Sequence, residues 1–311
     1  MGKRPGTVIG LGDRMIELSN EDAVMFREPR LTKGGLVNYY LEVAQHMLPH
    51  LEDRPLTVER FRKGIKYGGF IQKNAPESYP GWIRREFVRR KKTQAPPVEH
   101  VVCDDVATLV FLANQRCVTL HVPPVRADRL EHPDQVIFDF DPPDAGAASF
   151  DAVREGATQI GELLRQLGLR PYVKTSGSKG LHVIAPLDRH AHVDEVRAFG
   201  KAVCELVASQ YPGTFTTSTS RGDRVDKVFL DYLRNGYAQT VVAPYSVRPL
   251  PTAPVSTPIT WKELRDPEMH ARRYTVHNVR DRLATIGDPW RDIRRDPGSL
   301  DAAAAALDNL R

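Results

Sequence analysis

Six residues, Val136-Ile137-Phe138-Asp139-Phe140-Asp141, closed by Pro142-Pro143, constrain this chain more than any other stretch. Their β-branched and aromatic side chains favour a strand, and the prolines end it. Side chains alternate along a strand, so Val136, Phe138 and Phe140 take one face while Ile137, Asp139 and Asp141 take the other. Two carboxylates then stand about 6.5–7 Å apart at Cα on one side of an apolar strand. Like charges so placed repel each other, and a bound cation offsets the cost. Two Mg2+ or Mn2+ ions about 3.5–4 Å apart need hard oxygen ligands, and this spacing lets both carboxylates reach both ions. The bland alternative for a bare Asp-x-Asp is a strand end whose aspartates are solvated or cap a helix.

Two further features bear on that choice. Lys227-Val228-Phe229-Leu230-Asp231-Tyr232-Leu233 reads as another apolar strand, with Asp231 inside it. A buried carboxylate there needs a cation or hydrogen-bond donors. An ion pair with Arg224, Lys227 or Arg234 would also serve. Between the two acidic segments, Pro171 to Thr175 and Leu181 to Ala185 read as strands of a hairpin joined by Ser176-Gly177-Ser178-Lys179-Gly180. Glycines let backbone N–H groups turn toward an anion, the serines donate hydroxyls and Lys179 adds charge, a chemistry suited to a triphosphate. A strand follows the loop, whereas a Walker loop opens a helix, and a plain Gly-rich turn is the competing reading. His182 falls on the second hairpin strand, and Arg248 offers bidentate geometry for a phosphate.

The expected fold class is α+β, with mainly antiparallel sheets flanked by helices. An apolar stripe from Leu36 to Leu48 predicts a helix ending at Pro49. Asp104 or Asp105 is placed to cap a helix through Ala113, and Cys117 to Val122, carrying His121, reads as a strand. Ser149 is placed as the cap of a helix over Phe150 to Leu167, ended by Gly168. A further helix is expected around Val193 to Val207. Pro249 to Pro258 reads as a strap, Thr260-Trp261-Lys262-Glu263 has the capping-box form, and Ala302 to Ala306 favours a last helix. The domain expectation is a catalytic domain over about 1–258, with an N-terminal lobe to about 100 and a core beyond it. A C-terminal helical extension over 259–311 would pack on that core.

With 41% hydrophobic and 27% charged residues, and no apolar run near the ~20 residues of a membrane span, a cytoplasmic protein is expected. Met1 to Pro5 does not read as a secretory signal. Cys103, Cys117 and Cys204 are too few and too scattered for a disulfide framework or zinc site, and are expected as reduced core residues. The net charge of +5 suits a polyanionic partner. Arg84, Arg85, Arg89, Arg90, Lys91 and Lys92, near Trp82 and Phe87, can track a nucleic-acid backbone, although such runs are commonly solvated faces.

Together, Val136 to Pro142, Thr175 to His182 and Val228 to Tyr232 resemble the polymerase domain of bacterial ATP-dependent DNA ligase D, a branch of the archaeo-eukaryotic primase superfamily. The resemblance runs from about Leu18 to Trp261 and takes in Leu18-Ser19-Asn20, Met47-Leu48-Pro49-His50, Gln72-Lys73-Asn74-Ala75-Pro76 and Ala243-Pro244-Tyr245-Ser246-Val247-Arg248. It implies two Mn2+ or Mg2+ ions on Asp139, Asp141 and Asp231. It also implies nucleotide contacts from Ser176, Lys179, Gly180, His182 and Arg248, with His121 and Arg224 nearby. Phe70 would stack on a template base, and Asn20 and Lys33 would help bind the 5′-phosphate across a gap or break. A lysine usually follows the aspartate of that first motif, but here Asp22 is followed by Ala23.

The function implied is a DNA-dependent nucleotidyl transferase that extends a primer 3′-hydroxyl with NTPs or dNTPs, preferring ribonucleotides, in gap filling or end joining. DNA is the expected partner, with Ku and a separate ligase by family analogy. The expected state is a monomer associated with a bacterial nucleoid and not with membrane, and no ligase or phosphoesterase region is recognised beyond Arg248. Two rivals stay open: a metal-dependent phosphodiesterase or nuclease, and a catalytically silent DNA-end binder.

Overall fold

The computed structural model describes residues 6–90, 95–143, 150–220 and 222–310. The fold is α+β with mainly antiparallel sheets, and seven α-helices lie among the described residues. Two compact units divide the chain. One comprises Met1–Val122, Val242–Val255 and Thr275–Thr285, the other Pro123–Val241, Ser256–Tyr274 and Ile286–Arg311. Ser149, Lys91 and Lys92 lie outside the described residues. No helix among the described residues is long and apolar enough to cross a membrane.

The second unit is built on a six-stranded sheet. Its strands run in the order Phe215–Thr216, Val228–Asp231, Gln135–Asp141, Leu181–Pro186, Tyr172–Thr175, Pro258–Ile259. Every pair is antiparallel except the first. Helices Phe150–Gln166 and Val193–Gln210 cover the face of Val136, Phe138 and Phe140. A Cβ on Gly156 would stand 2.9 Å from the Phe215 ring and 3.2 Å from that of Phe140, and one on Gly200 3.8 Å from Val136 Cγ2. Helix packing on this face leaves Asp139 and Asp141 on the other, as alternation requires.

Two sequence expectations need correction in this unit. The acidic strand is shorter than Lys227 to Leu233, because Asp231 Oδ1 accepts from the Leu233 N–H at 2.7 Å and turns the chain into a 3₁₀ turn over Leu233–Asn235. Asn235 then takes the place of the missing strand residue. Fully buried, it accepts from Ile137 N–H at 2.8 Å and donates to Ile137 O at 2.7 Å and Tyr232 O at 3.0 Å. The proline strap does not stay irregular to its end: Pro258 opens the edge strand, where a missing N–H costs nothing.

The first unit holds the neighbouring strands Cys117–Val122, Thr57–Arg60 and Phe70–Gln72, in that order. Helix Lys33–Leu51 packs beside Val106–Asn114. The long helix continues past the expected stop, with Pro49 in its last turn. Asp105 caps the second helix through the Thr108 N–H. The three cysteines are buried and free.

Candidate metal and phosphate site

Antiparallel register builds the acidic cluster. Asp139 pairs with Asp231 on one side and with His182 on the other, and His182 pairs with Lys174. Paired residues share a face, so Asp231, Asp139, His182 and Lys174 form a polar row across four apolar strands. All four are buried, with Asp139 at 7% and Asp231 at 6% exposure. Asp141 lies one pleat along from Asp139 and is half-buried. Carboxylate oxygens from Asp139, Asp141 and Asp231 all lie within 4.8 Å of one another, a donor set that can hold a metal ion.

The protein already commits part of that set. His182 Nε2 stands 3.3 Å from Asp139 Oδ1, Leu233 N–H bonds Asp231 Oδ1, and Arg234 Nε lies 3.2 Å from Oδ2 of both Asp139 and Asp231. Arg234 therefore pairs with Asp231, as one sequence alternative allowed, and with Asp139 as well. Lys174 Nζ donates to Ser256 Oγ at 2.5 Å, which donates to Thr175 O at 2.9 Å. A lysine inside the Pro171 to Thr175 strand was the available sign of this row.

Charge and burial oppose each other here. Burial alone would raise the Asp139 carboxyl, but His182 and Arg234 outweigh it and hold it at about 2. Burial and Lys174 keep His182 at about 4. Near neutral pH His182 thus meets Asp139 as a neutral donor, and the ionic support comes from Arg234. His182 Nδ1 is buried without a hydrogen-bond partner. Burial, then repulsion from Asp139, pushes Asp141 up to about 7 against the pull of Arg234. Burial also raises Asp231, against Arg234. Such a cluster favours a protonated or cation-bound state over three bare charges.

The glycine loop is fastened to the acidic strand. A Cβ on Gly180 would fall 1.8 Å from Phe140 O and 3.6 Å from Pro142 Cδ, so only glycine fits. Ser176 Oγ accepts from the N–H groups of Ser178 at 3.2 Å and Gly180 at 3.1 Å, and Gly177 takes φ 67°. Arg272 Nε donates to Ser178 O at 2.8 Å, while Lys179 is exposed. Arg224 stacks 3.5 Å above the ring centre of Phe229, the register partner of Asp141.

The remaining candidates belong to the first unit. His121, half-buried, pairs with Thr57, and Glu59 with Thr119. Burial raises the Glu59 carboxyl against the opposing charge of Arg248. Phe70 is 38% exposed on an edge strand, with the Arg62 guanidinium 5.1 Å from its ring centre. Asn20 and Lys33 line a cavity of about 220 Å³ with Ser19, Arg60, Arg62, Asn114, Gln115 and Arg116. The three arginines were not singled out from sequence, because they are scattered along it. Lys33 Nζ is spent on three acceptors, Asn114 Oδ1 at 2.6 Å, Asn114 O at 3.1 Å and Ser19 Oγ at 3.1 Å. Burial, then Arg116, lowers Lys33 to about 8, which leaves it mainly charged at neutral pH. Arg84 binds Asp53 and Asp104, and Arg85 binds Glu99, so half of the described basic run is engaged by acids.

A family model described as LigD, primase-polymerase domain, matches residues 32–290, and the chain belongs to that family. It is 30% identical over 283 residues to the bifunctional non-homologous end joining protein LigD of Bacillus subtilis (strain 168), covering 91% of this chain and 44% of that protein. It is 32% identical over 300 residues to the multifunctional non-homologous end joining protein LigD of Mycolicibacterium smegmatis, covering 95% of this chain and 37% of that one. The chain thus spans less than half the length of these relatives. Among solved structures, it resembles the polymerase domain from Mycobacterium tuberculosis Ligase D in complex with DNA, with TM-score 0.84 and 29% identity. That match covers 91% of this chain and 99% of the other.

Proposed function

We propose that the chain is a template-dependent nucleotidyl transferase, a primase-polymerase that adds nucleotides to a primer 3′-hydroxyl at DNA gaps or broken ends. The observation that carries this reading is the juxtaposition of three carboxylates within 4.8 Å with a glycine loop that abuts the same strand. A nuclease also needs the carboxylates but not a triphosphate loop beside them. The relatives' names, which refer to end joining, support the repair context.

Asp139, Asp141 and Asp231 would hold the divalent ions, whose contribution when bound is to make the primer hydroxyl more acidic and to neutralise phosphate charge. Within the second unit, the Ser176–Gly180 backbone and Lys179 bind and orient the triphosphate. His182 fixes the angle of Asp139 and turns Nδ1 toward no protein partner, leaving it for the nucleotide. Arg224 lies over Phe229 beside Asp141. In the first unit, His121 and Arg248 add nucleotide contacts, Phe70 takes a template base, and the Asn20 cavity takes the 5′-phosphate. There Lys33 acts by holding Asn114 and Ser19, with Arg60, Arg62 and Arg116 supplying cationic surface. Ribonucleotides and Mn2+ are the preferred substrates and ions, and Ku and a separate ligase the partners in end joining.

Primer extension on gapped and recessed duplexes tests this, with ribo- or deoxyribonucleotides and Mg2+ or Mn2+. Extension should release pyrophosphate and vanish in Asp139→Ala. Strand cleavage without added nucleotide, or full activity in that variant, overturns the reading.

A further inference from the structure

Asp139 and Asp231 each present one oxygen to the protein and one to a shared point. Asp139 Oδ1 faces His182 Nε2 at 3.3 Å, and Asp231 Oδ1 accepts from Leu233 N–H at 2.7 Å. Both Oδ2 atoms converge instead on Arg234 Nε, at 3.2 Å each. These are the oxygens left for a cation, and a guanidinium nitrogen stands between them.

Arg234 is fastened at its backbone and partly exposed at its side chain. Its backbone belongs to the 3₁₀ turn Leu233–Asn235, which the buried Asn235 side chain fastens to Ile137. Its side chain is 36% exposed, whereas those of its two partners are 9% and 8% exposed. The root is fixed and the head has open space to move into. Divalent ions bind carboxylate oxygens at about 2.0–2.6 Å, so an ion bridging the two Oδ2 atoms would claim the place that Nε now holds.

The geometry points to Arg234 as a resident counter-ion of the acidic row, which occupies the bridging position without metal and must swing out when a divalent ion enters. This rests on the metal reading of Asp139, Asp141 and Asp231. Two consequences follow from the competition. The empty row is tolerated because the guanidinium relieves the repulsion between Asp139 and Asp231. Metal affinity is set below what the carboxylates alone would give, because entry must first break two ion pairs.

Calorimetric Mn2+ titration of wild type, Arg234→Gln, Arg234→Lys and Asp139→Ala tests this, alongside thermal unfolding in EDTA and in Mn2+. Arg234→Gln should bind Mn2+ about tenfold or more tightly than wild type, the scale of losing a competing buried ion pair. It should also melt lower than wild type in EDTA and recover most of the difference in Mn2+. Arg234→Lys keeps a shorter cation and should fall between the two. It also supplies the comparison if Arg234→Gln folds only with metal. Unchanged or weaker Mn2+ binding in both arginine variants, with wild-type binding that Asp139→Ala abolishes, overturns the counter-ion role alone. Absence of Mn2+ binding by wild type overturns the metal reading beneath it.

Discussion

Asn235 offers the sharpest test of how the site is held. In an antiparallel ladder the pairs that exchange backbone hydrogen bonds recur every second residue. With Asp139 opposite Asp231, Ile137 would be next in line, but the chain has turned away and the Asn235 amide replaces the absent strand. Asn235→Ala leaves the Ile137 N–H and C=O without these partners in a site with 0% exposure at residue 235. Each buried polar group so orphaned costs about 1–3 kcal/mol, so a loss of about 3–5 kcal/mol is expected. That is a large share of the roughly 5–15 kcal/mol by which domains are stable. Asn235→Asp separates hydrogen bonding from packing: it preserves volume but sets an oxygen against Ile137 O and Tyr232 O, and should cost at least as much. Urea unfolding in EDTA, with the midpoint and slope both fitted, measures the two variants. A loss below about 1 kcal/mol for Asn235→Ala, or wild-type stability for Asn235→Asp, refutes the surrogate-strand account.

Other perturbations reach the site from different sides. Gly180→Ala drives a methyl into Phe140 O, and relieving it takes a shift of about an ångström, so about 1–3 kcal/mol of stability and about a hundredfold of primer extension should be lost. Normal extension would show the loop to be looser than described. In metal-free protein Asp141 has a raised folded value of about 7, against an unfolded value near 4. The folded state then binds the extra proton, so this contribution is full below about pH 4 and is lost as pH rises to about 7, on the order of 2–4 kcal/mol. Asp139, held at about 2, runs the other way and loses its contribution only as pH falls from about 4 toward 2. His182, held at about 4 against an unfolded value near 6.5, gains stability over much of the same range and opposes the Asp141 contribution, so the difference between proteins is the test. From about pH 4.5 to 7.5 the melting temperature of Asp141→Asn in EDTA should rise relative to wild type, and a constant difference rejects it. Ala23 closes the turn between Asn20 and Lys33, accepting from the Lys33 N–H at 2.8 Å. Ala23→Lys should raise the preference of a gapped duplex for a 5′-phosphate several-fold by anisotropy, and unchanged preference counts against a phosphate at that cavity.

The legible parts of the chain were those governed by local pattern. Alternation placed Asp139 and Asp141 on one face, and the Cys117–Val122 strand and the Thr260 capping box have the expected bounds. What sequence could not supply was the register between strands remote along the chain. The row Asp231, Asp139, His182 and Lys174 joins four strands, and no spacing rule links residue 174 to residue 231. Side-chain substitution for backbone was equally hidden, since Asn235 is an ordinary polar residue until its neighbour strand stops short. The basic run near Trp82 illustrates the converse: the pattern of charge was plain, while the acids that engage Arg84 and Arg85 come from elsewhere in the chain.

The direct pairing of Asp139 with Asp231 makes the spacing of those two carboxylates a property of the backbone ladder. Insertions between Thr216 and Val228 leave that ladder in place and should be tolerated to the extent that Arg224 is dispensable. A single residue added between Val136 and Asp139 would turn both carboxylates to the face that the two helices cover. Natural variation among relatives should accordingly be generous in the length of that connection and should admit no insertion or deletion within the strand.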